Sequence, residues 1–371
     1  MRRRDLQEVI HSYRPDLPLD RASTIPAAWY TDERVLDLEY RTVFASSWQL
    51  AGRVEQVRLP GQYVSCELPG GEPIVAVRGG DDVVRGFFNV CRHHAAAVVT
   101  SAEGTASHLR CPYHGWTYSL EGVLKGTPDF AGVCDFDRSV SGLVERQTAS
   151  WEKWLFVHLQ PEGAPLEQFL GDDLIRRIAR LHLDNLHWME RRHYTLNCNW
   201  KVFVDNYLDG GYHVPHLHKG LNSVLDYSQY TIENGDRFCL QESPMVAEGA
   251  DERTGAVRGG ERACYYWIYP NFMINWYRGG MDTNLVIPRG VDRTEVVFDF
   301  YFPDVSESAR AHNRASIDVS GQIQDEDVAI CESVQRGLGS RAYDTGRLSV
   351  RREAGEHLFH RLLYADLKAG L

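Results

Sequence analysis

Two short pairs of metal-binding side chains stand out in this 371-residue chain. Cys91-Arg92-His93 and Cys111-Pro112-Tyr113-His114 are separated by seventeen residues. Thiolates and imidazoles at that spacing can grip a metal from two loop tips. Two Cys and two His meet the requirement of a [2Fe–2S] centre in which imidazole replaces thiolate on one iron and raises its reduction potential. A structural zinc uses the same donor set. A second concentration runs over residues 199–218 and contains Asp205, Asp209, His213, His216 and His218. Two His and one carboxylate make the facial triad that holds Fe(II) with positions open to O2 and substrate. His213 and His216 share a helical face, while Pro215 breaks the helix and frees His218 to turn inward. Spacing alone does not choose the ligands among these histidines.

Such groups need elements to position them. From residue 48 to about 160, short β-branched and aromatic runs alternate with turns such as Pro69-Gly70-Gly71 and Gly79-Gly80-Asp81, which reads as a small antiparallel β domain. Both Cys/His pairs follow apparent strands of that domain. Before it, residues 1–47 read as an irregular arm and a helix over 33–44 behind a Thr31-Asp32 cap, packing with the later domain. After it, residues 161–371 mix strands (263–269, 272–276, 294–302) with helices (165–186, 199–213, 306–336, 350–369). The fold class expected is therefore α+β: an antiparallel β domain, then an antiparallel sheet with helices in a helix-grip-like arrangement.

Bulk properties narrow the partners. The formal net charge is −11, and no basic stripe extends beyond Arg2–Arg4, so nucleic acid is not expected. No apolar stretch reaches the length of a membrane span, and no apolar core follows the N-terminal arginines, so neither an anchor nor a secretion signal is expected. Eight cysteines scattered over so long a chain do not form a secreted disulfide framework; reduced thiols in a cytoplasm, some recruited as ligands, are the expectation. No nucleotide-binding glycine fingerprint is present, and the Gly-Gly pairs at 70–71, 79–80, 259–260 and 279–280 read as turns.

Cys91-x-His93, seventeen residues, then Cys111-Pro112-Tyr113-His114-Gly115-Trp116 resembles the Rieske signature, which favours the [2Fe–2S] cluster over zinc. The stretch from Asn199 to Leu221 resembles the choline monooxygenase-like branch of the Rieske non-haem iron oxygenase alpha subunits. Tyr269-Pro270-Asn271-Phe272-Met273-Ile274-Asn275, Met281-Asp282-Thr283-Asn284 and Glu332-Ser333-Val334-Gln335-Arg336-Gly337-Leu338 resemble it too. Likeness runs from about residue 48 to the last helix. It implies His213 and His218 as iron ligands, with His216 at a variable position. The carboxylate ligand is implied on the helix that offers Asp325, Glu326 and Asp327, with Asp327 fitting best. It also implies a bridging acid ahead of His213: Asp209 matches, although Gly210-Gly211 stands where many relatives carry one residue, and Asp205 is the alternative.

The resemblance further implies an oxygenase component that uses O2 and receives electrons from a separate reductase or ferredoxin, where any NAD(P)H chemistry resides. A homotrimer, or a multiple of it, is implied as well. The reaction implied is monooxygenation beside nitrogen in a small quaternary ammonium or methylated amine. Aromatic rings of Phe203, Tyr207, Tyr212, Tyr265, Tyr266, Trp267, Trp276 and Tyr277 are available to hold such a cation. Two other readings compete: a Rieske oxygenase that hydroxylates an aromatic or biosynthetic molecule, and a Rieske electron carrier without oxygenase activity.

Overall fold

The computed structural model describes residues 5–246 and 251–371; the Arg2–Arg4 run lies outside them. The chain divides into two units, residues 44–169 and residues 5–43 with 170–371. No helix among the described residues is long and apolar enough to cross a membrane.

Every strand pairing in the first unit is antiparallel. Its seven-stranded sheet runs, edge to edge, Trp48–Arg53, Trp154–His158, Glu145–Trp151, Val84–Phe88, Glu72–Arg78, Gln62–Leu68, Glu103–Thr105. The β-branched run Ile74-Val75-Ala76-Val77 is fully buried, as a central strand covered on both faces requires. A three-stranded sheet, Leu109–Arg110, Thr117–Tyr118 and Leu124–Gly126, carries the second Cys/His pair. Val75, Val77, Phe87, Leu109, Trp116, Tyr118 and Leu124 make one apolar core that also encloses the Cys91 and Cys111 side chains.

The second unit is built on another seven-stranded antiparallel sheet, ordered His187–Leu196, Arg293–Phe302, Gly280–Gly290, Phe272–Tyr277, Arg262–Ile268, Phe238–Pro244, Thr231–Asn234. The helix Trp200–Leu208 packs on its Gly280–Gly290 and Arg293–Phe302 strands, and the 29-residue helix Arg310–Leu338 packs on that helix in turn. The C-terminal helix Ala354–Ala369 buries Phe359, Leu363 and Leu367, spaced by four, with the Phe359 ring edge-on to Trp200 at 5.5 Å and to Trp267 at 5.4 Å. Residues 5–43 belong to this unit, and the Trp29 indole N–H donates to the Val9 carbonyl at 3.0 Å.

Several elements depart from the expected boundaries for local reasons. The helix expected over 165–186 is two helices, Leu166–Leu170 and Asp172–Ala179, parted by Gly171 at φ 78°. The helix expected over 199–213 stops at Leu208, where Gly210 and Gly211 both take φ 67°. Gly279-Gly280 does turn the chain, but Gly280 also opens the longest strand, Gly280–Gly290.

Candidate functional site

The two Cys/His loops are built on one backbone plan. In the first, the Cys91 N–H donates to Ala96 O and the Ala95 N–H donates back to Cys91 O, at 2.8 and 3.0 Å. In the second, Cys111 N–H donates to Trp116 O and Gly115 N–H to Cys111 O, at 2.8 and 3.1 Å. The fifth residue of each loop has positive φ, Ala95 at 60° and Gly115 at 73°. Each plan leaves the cysteine at the buried root and the histidine at the tip. Cys91 and Cys111 are 3% and 2% exposed, whereas His93 is half-buried and His114 exposed. The His93 and His114 rings lie 4.8 Å apart, and the His93 ring stacks flat on Trp116 at 4.7 Å. Loss of hydration, with His94 and His114 nearby, pushes the His93 pKa down and favours the neutral imidazole. Its Nδ1 atom is buried without a hydrogen-bond partner. A donor set of two buried thiols and two facing imidazoles, one with an orphaned ring nitrogen, fits a [2Fe–2S] cluster with His on one iron.

In the second unit, three groups from two separated segments converge. The helix Trp200–Leu208 is capped at its start by Asn199, whose side-chain oxygen accepts the Lys201 N–H at 3.1 Å. At its end the double glycine reverses the chain. A Cβ on Gly210 would lie 2.1 Å from the Arg352 carbonyl oxygen, so both the φ and the space there require glycine. The reversal brings His213 back over Asp209, whose Oδ2 accepts the His213 backbone N–H at 3.0 Å and Nδ1–H at 2.6 Å. His218, 2% exposed, gives its Nδ1–H to Glu326 Oε2 at 2.7 Å. A carboxylate can only accept, so both rings carry a proton on Nδ1 and present Nε2 toward Asp327, His218 Nε2 within hydrogen-bond reach of it.

Both Nε2 atoms face Asp327 Oδ1, at 3.8 Å from His213 and 3.1 Å from His218. Ligands at right angles with bonds of about 2.1 Å stand about 3 Å apart, so the spacing suits one metal ion. The three ligand atoms all lie within 4.8 Å of one another. Asn206 Nδ2–H donates to Asp327 Oδ1 at 2.9 Å and holds that carboxylate in place. Burial lowers the His218 pKa, but Asp327 and Glu326 outweigh it and raise the net value; a cation between Nε2 and Asp327 would take the proton's place.

The remaining acids and imidazole fall elsewhere. Asp205 receives the Tyr30 O–H at 2.5 Å and lies 3.0 Å from His360 Nε2, with Glu356 Oε1 3.8 Å from the same nitrogen. Asp325 faces Arg192, His193 and Tyr194 on the other side of its helix, and His216 is exposed.

Beside His213, His218 and Asp327 opens a cavity with about 760 Å³ free of protein atoms, the open solvent at its mouth included. Phe203, Tyr207, Tyr265 and Tyr277 line it, whereas Tyr212 points to solvent and Tyr266, Trp267 and Trp276 are not among its walls. Tyr230 and Phe298, which carried no sequence signal, line it as well. Two buried charges also stand in the wall, Arg258 and Asp282. Asp282 Oδ2 accepts from the amides of Asn275 at 2.7 Å and Asn284 at 3.1 Å, and burial raises its pKa. Ser320, Gln324 and Asp327 of the long helix line the cavity, and the buried Asn313 and Ser316 continue the same polar row at spacings of three or four residues.

Comparison with known proteins matches the chain across both units. Residues 183–368 match the family model of the ring hydroxylating alpha subunit (catalytic domain), and residues 47–137 match the Rieske [2Fe-2S] domain. The chain is 38% identical to the chloroplastic choline monooxygenase of Arabidopsis thaliana, over 98% of this chain and 87% of that one. It is 30% identical to the carnitine monooxygenase oxygenase subunit of Escherichia coli (strain K12), over 92% and 93% of the two chains. A solved quaternary ammonium Rieske monooxygenase superposes with a TM-score of 0.85 at 25% identity, covering 96% of this chain and 99% of that one.

Proposed function

Because the chain belongs to the Rieske non-haem iron oxygenase alpha-subunit family, we propose that it hydroxylates a carbon next to nitrogen in a small quaternary ammonium or methylated amine. The observation that carries this reading is the juxtaposition of His213, His218 and Asp327 with a cavity walled by tyrosine and phenylalanine rings. The names of its relatives, a choline and a carnitine monooxygenase, point to the same substrate class.

In this reading Cys91, His93, Cys111 and His114 hold the cluster, and His213, His218 and Asp327 hold the mononuclear iron. When bound, the cluster supplies electrons singly and the iron supplies O2 activation. The chain's own residues set the conditions. Asp209 and Glu326 fix the two imidazoles in the ligating tautomer, and Asn206 fixes Asp327. Ring faces of Tyr207, Tyr265 and Phe298 offer a methylated ammonium a desolvated, electron-rich wall. Asp282 adds a negative charge to that wall. The overall reaction takes one C–H bond, O2, two electrons and two protons to an alcohol and water. A hydroxymethyl group on nitrogen then breaks its C–N bond, releasing formaldehyde (and, from a quaternary ammonium, a proton) and leaving the demethylated amine. Electrons come from a separate reductase or ferredoxin. A homotrimer in the cytoplasm, with Asp209 as the acid linking cluster and iron sites, completes the proposal.

The test is anaerobic purification, iron and sulfide analysis, and substrate-dependent O2 uptake with methylated amines and aromatics. About three irons and two sulfides per chain, with O2 consumed only in the presence of a methylated amine, is the expected result. Uptake driven by aromatics alone would replace the substrate class. Two irons after Fe(II) reconstitution would leave an electron carrier.

A further inference from the structure

We infer that Arg258 forms a carboxylate-binding subsite in the iron cavity, so that the amine oxidised there is a zwitterion carrying a carboxylate at its far end. This deepens the quaternary-ammonium reading and rests on it.

Arg258 follows the short helix Glu252–Val257, is 8% exposed, and lines the same cavity as His213, His218 and Asp327. Its guanidinium has no carboxylate partner among the described residues. Nη1 donates to Ser316 Oγ at 2.6 Å, and Nη2 donates to Ser320 Oγ at 2.5 Å and to the Ser316 carbonyl at 3.5 Å. The group lies over the Tyr277 ring at 4.5 Å, and Tyr277 is oriented by Tyr265, their hydroxyls 2.9 Å apart. Nε is buried with no partner. A buried guanidinium is costly unless an anion compensates it, and two serine hydroxyls carry no charge. The anion of the cavity wall, Asp282, feels the Arg258 charge through space but makes its hydrogen bonds to the amides of Asn275 and Asn284, not to the guanidinium.

The cavity thus holds one buried cation and one buried anion, each bonded to neutral groups. The ligand that satisfies both is itself dipolar. A carboxylate matches the fork of a guanidinium in shape as well as charge. The methylated ammonium then takes the aromatic wall and Asp282. Scale agrees: Ser320 precedes Asp327 by seven residues on one helix, about 10 Å at about 1.5 Å per residue. That length accommodates an N-methyl group beside the iron ligands, a linker of a few carbons, and a carboxylate. A simple cation such as choline leaves Arg258 unpaired and meets its like charge, so the same residue selects against it.

The experiment compares γ-butyrobetaine with 4-(trimethylammonio)butanol, which differs in lacking the carboxylate. The holoenzyme, its reductase and the variants Arg258→Gln and Arg258→Lys are assayed for O2 uptake and product. The wild type is expected to favour the carboxylate by about 50-fold or more in kcat/KM. Arg258→Gln removes that preference through KM with kcat largely kept, Arg258→Lys restores part of it, and iron content stays the same in all three. Equal kcat/KM for the pair in the wild type, or an equal loss on both substrates in Arg258→Gln, overturns the subsite. If neither ammonium is turned over, the function reading fails and the subsite is judged by calorimetry with benzoate and benzyl alcohol. Benzoate binding that disappears in Arg258→Gln then supports it, and absence of a benzoate preference in the wild type overturns it.

Discussion

Asp209 holds His213 twice with one oxygen: Oδ2 accepts both the backbone N–H and the ring Nδ1–H of the residue four positions on. The clasp exists because Gly210 and Gly211 turn the chain back on itself with left-handed dihedrals. It fixes where the imidazole sits, which tautomer it adopts, and therefore that Nε2 is free toward Asp327.

Removing that clasp separates the roles of two acids in the same segment. Asp209→Ala frees the His213 ring, and substrate-dependent O2 uptake or iron affinity is expected to fall about 10- to 100-fold. Asp205→Ala leaves Tyr30 and His360 without their acceptor instead. It is expected to keep its iron and lose about 1–3 kcal/mol of stability. Iron analysis and urea unfolding of both variants decide; the opposite pattern assigns the iron site's acid to Asp205.

The three consecutive acids of the long helix face three different environments. Asp327→Ala is expected to lower iron from about three to about two per chain with sulfide unchanged. Glu326→Gln weakens the support of His218 Nδ1 and lowers activity about 10-fold with iron retained. Asp325→Asn changes neither. Metal analysis beside O2 uptake reads all three, and iron loss in Asp325→Asn with none in Asp327→Ala would move the ligand.

These contrasts also show what the sequence could carry. The cysteine and histidine spacing lay in single loops, where a motif is nearly the whole structure. Asp325, Glu326 and Asp327 are adjacent in sequence, and the direction each faces depends on the helix phase set by packing against Trp200–Leu208. Amphipathic patterning gives little help, because the helix's inward face is polar: Ser316, Ser320 and Gln324 look like a solvated stripe. Met281-Asp282-Thr283-Asn284 was legible as a resemblance, yet its strand was hidden by the Gly279-Gly280 turn signal and by side chains that face a cavity instead of an apolar core. Arg258 gave no signal at all, since its meaning comes from what it does not touch.

In the β unit, the Tyr118 hydroxyl lies 3.3 Å from Cys91 Sγ and accepts the Arg92 N–H at 3.0 Å. Facing a cluster-bound thiolate, that hydroxyl donates, and such a bond stabilises the more electron-rich reduced state. Tyr118→Phe is expected to lower the cluster's potential by about 40 mV, the equivalent of about 1 kcal/mol for one electron. Redox titration followed by EPR measures it. An unchanged potential would show that the hydroxyl serves only the Arg92 backbone.

The last expectation concerns the buried pair that ties residues 5–43 into the catalytic unit. Lys201 and Glu39 are both fully buried, with Nζ 2.6 Å from Oε1, and the Trp200 indole N–H donates to Oε2 at 2.7 Å. Burial pushes the Glu39 carboxyl up and the Lys201 ammonium down, each opposed by the other's charge. Lys201→Met removes the opposing charge and is expected to cost about 3–5 kcal/mol near neutral pH. Its cost depends on pH. In the variant the folded-state pKa of Glu39 rises further above its unfolded value, so the folded protein takes up a proton that the unfolded chain has released. Stability is then lost as pH rises between those two values, by up to about 1.4 kcal/mol per pH unit. Urea unfolding followed by tryptophan fluorescence should therefore show a larger deficit at pH 8 than at pH 5.5. A deficit equal at both would mean that Glu39 stays ionised without its partner. The double variant Lys201→Met/Glu39→Leu, with no charge left to bury, should recover much of the loss at both pH values.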